Sequence, residues 1–415
     1  MKHLLLYCLI FLFAYAESIC VVHTITPKTK NSISEIISNS NSGDTILIKT
    51  GYYKSRKILI DKPITIIGES NTIIDAENTA ELFIVKADNV SIIGLNLKNI
   101  VYNSLKDNSA ILIENASNIK LKNNKIENSF FAIYIKRSEN IELHNNTIKG
   151  NSVKEALSGN AIHIWYCTNV RADQNNLSGH RDGIYIEFSK NCLITNNNSH
   201  NNLRYGLHFM FSDSCDYERN TFNHNGAGVA VMYSKYISMT YNNFSLNRGT
   251  ASYGLLLKDI SNSAINRNVF TSNTVGIYAE GTNRCTISEN DFRNNAWALR
   301  FLSNCFDNTL SFNNFYTNTF EFATNKGTFR NKMENNYWSS AKIFDLNRDG
   351  ISDIPHRPMT LFAYLVENYS ETLILNRSFF IKILNLSETL LPSITPKDIV
   401  DDRPLMAPHK YDKNR

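Results

Sequence analysis

A short pattern that returns about every 22 residues constrains this chain more than any other feature. A polar turn of the form Asn-x-apolar recurs at Asn124 before Ile126, Asn146 before Ile148, Asn175 before Leu177 and Asn220 before Phe222. It returns at Asn242 before Phe244, Asn268 before Phe270, Asn290 before Phe292 and Asn313 before Phe315. The steps are 22 from Asn124 to Asn146, 29 on to Asn175 and, from Asn220, 22, 26, 22 and 23. Between the turns lies a short apolar strand, commonly opened by Gly or Ala, as in Ala161-Ile-His-Ile164, Gly183-Ile-Tyr-Ile186 and Gly206-Leu-His-Phe209. Two or three short alternating strands per repeat at this period define a β-solenoid, whose strands pair with their equivalents one coil away at about 4.8 Å. A leucine-rich repeat has a similar period but needs a regular Leu pattern and a helical side, and neither is present.

The expected fold is therefore all-β, a right-handed parallel β-helix with coils of about 22 residues and insertions around 151–159 and 246–252. The recurring asparagines are expected at the tight turns, where their side chains bond the backbone and tolerate left-handed conformations. Thr45–Ile48, Ile58–Ile60, Ile64–Ile67, Ile92–Leu97 and Ile111–Ile113 join the same array less regularly, and Ile33–Ile37 reads as a short helical N-cap over the first sheet edge.

Lys2, the apolar run Leu4 to Ala16 and the small-x-small set Ala14-Tyr15-Ala16 form a secretory signal. At about 13 residues the run is short of the ~20 that span a bilayer, so the organisation expected is 1–16 signal peptide, 17–340 β-helix, 341–358 an Asp/Asn-rich capping loop and 359–415 amphipathic helices and tail. Export to a periplasm follows. With 43 basic and 38 acidic residues spread evenly, no charge block points to nucleic acid. Six cysteines follow the signal, at 20, 167, 192, 215, 285 and 305. Glu17-Ser18-Ile19 lacks the small residues of a lipid-attachment site before Cys20. Cys192, Cys215 and Cys285 share one inward position and read as small buried thiols; a Cys192–Cys215 disulfide stays open.

Alternation sends Ile162/Ile164, Ile184/Ile186, Leu207/Phe209 and Val229/Val231 inward. The residues between them form two outward ladders: His163, Tyr185, His208, Ala230, Leu256, Tyr278, Arg300, and Trp165, Glu187, Met210, Met232, Lys258, Glu280, Leu302. His208, Met210 and Met232, with His163 and Glu187 one or two coils away, make a thioether and imidazole set suited to a soft cation, above all Cu(I). A hydrophobic contact surface for a partner, formed by Trp165, Tyr185, Phe211 and Tyr233, accounts for the same stripe, and both readings stand at this point. His180-Arg181-Asp182 offers an acid/base or sugar-binding set, the basis of an alternative in which the chain is an exported polysaccharide-binding or polysaccharide-cleaving β-helix. A structural turn with an Arg–Asp pair is the default there.

Asp345, Asn347, Asp349 and Asp353, with the Ile351 carbonyl and Gly350, follow the spacing of a calcium loop, but His356 stands where its acidic twelfth residue belongs. Thr360–Val366 and Ser378–Leu391 carry clustered apolar residues at helical spacing, including Phe379, Phe380, Ile383 and Leu384. Such a pair is either a cap or a foot on a membrane partner.

Several strings resemble the NosD family: Gly159–Cys167, Gly179–Tyr185, Asn202–Ser212, Asn225–Ser234, Tyr253–Asp259, Asp345–Asp353 and Asp401–Met406. The resemblance runs from about Gly43 to Met406. It implies a periplasmic, non-enzymatic accessory protein of nitrous oxide reductase that binds copper transiently and helps assemble the reductase's copper–sulfide cluster. It further implies association with the inner membrane through the permease and ATPase subunits of an ABC transporter, and receipt of copper from a lipoprotein chaperone. On that reading Phe379, Phe380, Ile383 and Leu384 are the transporter contact. A passive docking scaffold is the remaining alternative.

Overall fold

The computed structural model describes residues 20–101, 107–325, 329–390 and 398–411; the signal peptide expected at 1–16 lies outside them. Three parallel sheets, of 14, 12 and 13 strands among the described residues, run along a right-handed solenoid of about 13 turns. Each strand pairs with the equivalent strand of the next coil, as Ile162–Trp165 does with Asp182–Glu187 in the register Ile162↔Ile184 and His163↔Tyr185.

Alternation produces this arrangement. Ile133, Ile162, Ile184, Leu207, Val229, Leu255, Ile277 and Leu299 are all completely buried and stack one per coil. In the 13-stranded sheet Phe222, Phe244, Phe270, Phe292 and Phe315 stack with ring centroids 5.5, 4.6, 4.9 and 4.9 Å apart, and Trp338 closes the column 4.0 Å from Phe315. Burying each ring contributes about 1.5–3 kcal/mol, and each stacked pair about 0.5–1.5 kcal/mol more.

The asparagines do something other than what the sequence suggests. The left-handed residues are their predecessors, among them Asn123, Asn145, Gln174, Asn196, Arg219, Tyr241, Arg267, Glu289 and Phe312. The recurring asparagines are buried and form a continuous ladder. The backbone N–H and side-chain amide of Asn124 both donate to Asn146 Oδ1, at 3.0 and 3.1 Å, and Asn146 donates likewise to Asn175 Oδ1 at 2.9 and 3.0 Å. Asn197, Asn220, Asn242, Asn268, Asn290, Asn313 and Asn336 continue the chain. A second ladder runs through Asn202, Asn225, Asn247, Asn273, Asn295 and Asn318. Burial selects asparagine here, because a corner inside the solenoid needs a side chain that both donates and accepts.

Both ends are covered. Helix α1 (Ile33–Asn39) starts at a Ser32/Glu35 capping box and lays Ile33 and Ile37 over the first coil. At the other end helix α2 (Leu361–Asn368) buries Phe362, Ala363 and Val366, with the Phe362 ring 5.6 Å from Phe320. A 3-10 segment, Ser370–Leu375, leads on to helix α3 (Phe379–Leu390). No helix among the described residues is long and apolar enough to cross a membrane. The six cysteines are free thiols, five buried and Cys20 exposed. Contact with Cys215, then burial, pushes the Cys192 thiol pKa well above its ordinary value.

Candidate metal-binding face

The outer face of the 12-stranded sheet carries both expected ladders. The first is paired as His163↔Tyr185↔His208↔Ala230↔Leu256↔Tyr278↔Arg300. The second is paired as Trp165↔Glu187↔Met210↔Met232↔Lys258↔Glu280, and Leu302 falls just beyond the strand Trp297–Phe301. Alternation alone suffices to predict this register.

Exposure is where the sequence reading falls short. His208 points away from the solenoid interior, yet only 3 % of it is accessible. Its ring lies 4.8 Å from Tyr185 and 4.8 Å from Tyr205, centroid to centroid. His163 stacks on Tyr134 at 4.5 Å, with Tyr185 edge-on at 4.8 Å and Phe131 at 5.2 Å. The face has become an aromatic layer in which the imidazoles are embedded. Neither His208 nitrogen has a hydrogen-bond partner, nor has His163 Nε2; His163 Nδ1 lies 3.4 Å from the Asn160 amide. Burial, with Arg204 and Arg181 near His208 and Arg181 and Lys136 near His163, drives both pKa values down to about 3. Both rings are neutral at neutral pH, so each retains a lone pair able to bind a metal.

Tyr185 lies between the two histidines, so His163 and His208 are two coils apart, roughly 10 Å by strand spacing, and do not converge on one ion. Indeed, no three His, Cys, Asp or Glu side chains converge on a point among the described residues. The donor set gathered around His208 is mixed: Met210 shares its strand, Met232 pairs with Met210 on the next coil, and Glu187 pairs with Met210 on the coil before. The Tyr185 hydroxyl donates to Met210 Sδ at 3.6 Å and also interacts with the Glu187 carboxylate. Burial, then that carboxylate, pushes the Tyr185 pKa up to about 12, and burial raises that of Glu187.

Beside the second ladder the chain turns a corner, and the corner residues of four successive coils are Tyr166, Phe188, Phe211 and Tyr233, all exposed. Their rings stack at 4.8, 5.2 and 4.9 Å. Their φ values are 52°, 49°, 50° and 52°, a left-handed conformation that bulky side chains rarely adopt. Phe211 and Tyr233 are expected from the sequence as partner surface, whereas Tyr166 and Phe188 are missed. Aligning the coils on their corner position, rather than on their strands, is the signal that finds all four. Trp165 packs edge-on against Tyr166 at 4.7 Å and lies under the Arg137 guanidinium.

The remaining candidates separate clearly. His180 and Asp182 are fully buried; Asp182 accepts from Arg181 Nε at 3.4 Å and from the Tyr205 N–H at 3.2 Å, so the turn holds the coil in place and leaves neither group accessible to a polymer. In the 345–353 loop the side chains bond their own backbone. Asp345 receives the Arg348 and Gly350 N–H groups, Asn347 that of Asp349, Asp349 that of Ile351 and Asp353 that of Leu346. On helix α3 Phe379, Phe380 and Ile383 are exposed, together with Leu386 and Leu390. Leu384 differs from the expectation: it is partly buried and packs against the core, on a helix whose neighbour is helix α2.

Fold and site together define a β-solenoid whose imidazole and thioether face is built on backbone register. Residues 147–348 match the family described as periplasmic copper-binding protein (NosD), and residues 35–235 match a family described only as a protein of unknown function. The chain is 24% identical over 379 residues to a probable ABC transporter binding protein NosD from Stutzerimonas stutzeri, covering 86% of each chain. Both matches point the same way: over these residues the chain is similar to the NosD family. Among solved structures it resembles the Streptococcus pneumoniae surface protein and adhesin PfbA, with TM-score 0.58, 14% identity and coverage of 72% of this chain and 95% of that one. It also resembles a lacto-N-biosidase from Eubacterium ramulus, with TM-score 0.51, 12% identity and coverage of 75% and 68%. At these identities the likeness is one of fold.

Proposed function

We propose that this chain is a periplasmic accessory protein of the NosD type that carries copper as cargo, taken up as Cu(I) by His208, Met210 and Met232, with Glu187 at the rim. The observation that carries the reading is the buried, unpartnered imidazole of His208 beside the paired thioethers of Met210 and Met232. A buried polar group without a partner asks for one, and neutral nitrogen with thioether sulfur selects a soft monovalent cation over Zn or Mg. His163, on the far side of Tyr185, serves as a second, separate imidazole on the same face rather than as a ligand of the same ion. Calcium at Asp345–Asp353 has no comparable support.

In this reading the cargo comes from a lipoprotein chaperone and goes to the copper–sulfide cluster of nitrous oxide reductase. Trp165, Tyr185 and the ridge containing Phe211 and Tyr233 form the protein contact. The permease of an ABC transporter, driven by its ATPase, receives the apolar side of helix α3 at Phe379, Phe380 and Ile383. The name of the curated relative and the exposure of these side chains support that partner.

The test is a Cu(I) titration of the mature chain against a competing chelator, with copper content measured in reductase from the same strains. Met210→Ala combined with Met232→Ala is expected to remove high-affinity binding and leave the reductase deficient in its cluster. Wild-type affinity and normal reductase copper in that variant would overturn the proposal.

A further inference from the structure

Tyr185 is in contact with both imidazoles and with Met210 of the candidate site. Its ring lies 4.8 Å from both imidazoles, its hydroxyl donates to Met210 Sδ, and the Glu187 carboxylate is also within its reach. A half-buried phenol needs a hydrogen-bond partner, and thioether sulfur is a weak acceptor. A carboxylate is a stronger one. The hydroxyl therefore has two positions close at hand, one on sulfur and one on Glu187.

We infer that Tyr185 is a positioning residue that keeps the metal-free site closed: its O–H occupies the Met210 lone pair that a soft cation uses, and loading moves that hydrogen bond from sulfur to Glu187. The inference rests on reading His208, Met210 and Met232 as the cargo site. No bond changes beyond this hydrogen bond and the contacts of the cation with His208, Met210 and Met232, and no proton leaves the phenol. Two consequences favour exchange over retention. The cation competes with an existing hydrogen bond, which weakens binding. The ring also fills the coil between His163 and His208, which the strand register sets two coils apart, so the cargo meets a single imidazole.

The experiment measures Cu(I) affinity and release rate by chelator competition on the mature chain, with the melting temperature as a control for folding. Tyr185→Phe keeps the ring and deletes the O–H; it is expected to tighten binding about three- to tenfold, the worth of one hydrogen bond, and to slow release, with the melting temperature unchanged. The gain should vanish when Met210→Ala is combined with it, since the two residues act through one contact. Tyr185→His places imidazoles on three successive coils and is expected to confer Zn(II) binding that the wild type lacks. If Tyr185→Phe leaves affinity and release unchanged while Met210→Ala weakens binding, the inference is overturned and the site stands. A Tyr185→Phe variant that loses affinity and melting temperature together overturns it equally. If neither Met210→Ala nor Met232→Ala affects binding, the site itself is wrong and the inference falls with it.

Discussion

Asp401 stands to Asn336 as each ladder asparagine stands to the one before it. The Asn336 backbone N–H and side-chain amide both donate to Asp401 Oδ2 at 3.0 Å, just as those of Asn313 donate to Asn336 Oδ1 at 2.9 and 3.0 Å. The Trp338 indole donates to the same carboxylate oxygen at 3.0 Å. Asp401 thus takes the next coil's place although it lies 65 residues further on.

Asp401→Ala leaves two buried donors unpaired, the Asn336 backbone N–H and the Trp338 indole, while the Asn336 amide keeps the Leu310 and Glu334 carbonyls. Each costs about 1–3 kcal/mol, so the strap at 398–411 should detach, read as faster hydrogen exchange at Asn336 and Trp338 and as early proteolysis after residue 398. Asp401→Asn should be milder but still destabilising, because an amide in place of the second oxygen no longer accepts the Arg403 N–H at 3.1 Å. Unchanged exchange in the alanine variant would show that the clasp is idle.

Acid should weaken the fold through its buried histidines. The folded-state pKa values of His163 and His208 are about 3 and that of His180 about 4, all lowered chiefly by burial, against an unfolded value near 6.5. Between those limits the unfolded chain binds more protons, so stability is full above about pH 6.5 and falls as pH drops towards 3–4. At pH 5 each imidazole should withdraw on the order of 2 kcal/mol. Melting temperatures at pH 7 and pH 5 measure this, and His208→Phe should shrink the difference between them.

The aromatic ridge should be nearly neutral for stability and decisive for contact. Asparagine tolerates the left-handed corner, relieving roughly 1–2 kcal/mol of backbone strain, while losing ring stacking of about 0.5–1.5 kcal/mol. Phe188→Asn with Phe211→Asn is therefore expected to unfold within about 1 kcal/mol per site of wild type in urea, and to lose capture of the copper-free reductase. Retained capture would mean that the ridge faces no partner.

Thiol chemistry should be absent from the buried cysteines. Only exposed Cys20 is expected to react with iodoacetamide in the folded mature chain, the other five reacting after denaturation. Cys192→Ala with Cys215→Ala should leave Cu(I) binding unchanged; a loss would move the site into the core.

How much of this is legible in the sequence divides along physical lines. Strand alternation is local, so the Met210–Met232 pair and both outward ladders follow from spacing alone. Burial on the outer face is not legible, because it depends on neighbours contributed by other coils: Tyr134 and Phe131 close over His163, and Tyr205 closes over His208. The asparagines mislead for a related reason. Their period is plain, but whether such a residue bends the chain or bridges two coils is decided across coils. Asp401 carries no periodic signal, since it joins the array from a separate segment.

The ladder has a direction. Each coil offers an acceptor to the coil before it and requires one from the coil after, so an array of asparagines alone always ends on donors that lack a mate. A carboxylate accepts without bringing donors of its own, and Asp401 acts as a terminating monomer does in a growing polymer. The number of coils is then set by where the terminator docks rather than by any feature of the coils themselves. The end group comes from outside the repeat, 65 residues beyond Asn336, and so closes the array without itself belonging to a coil.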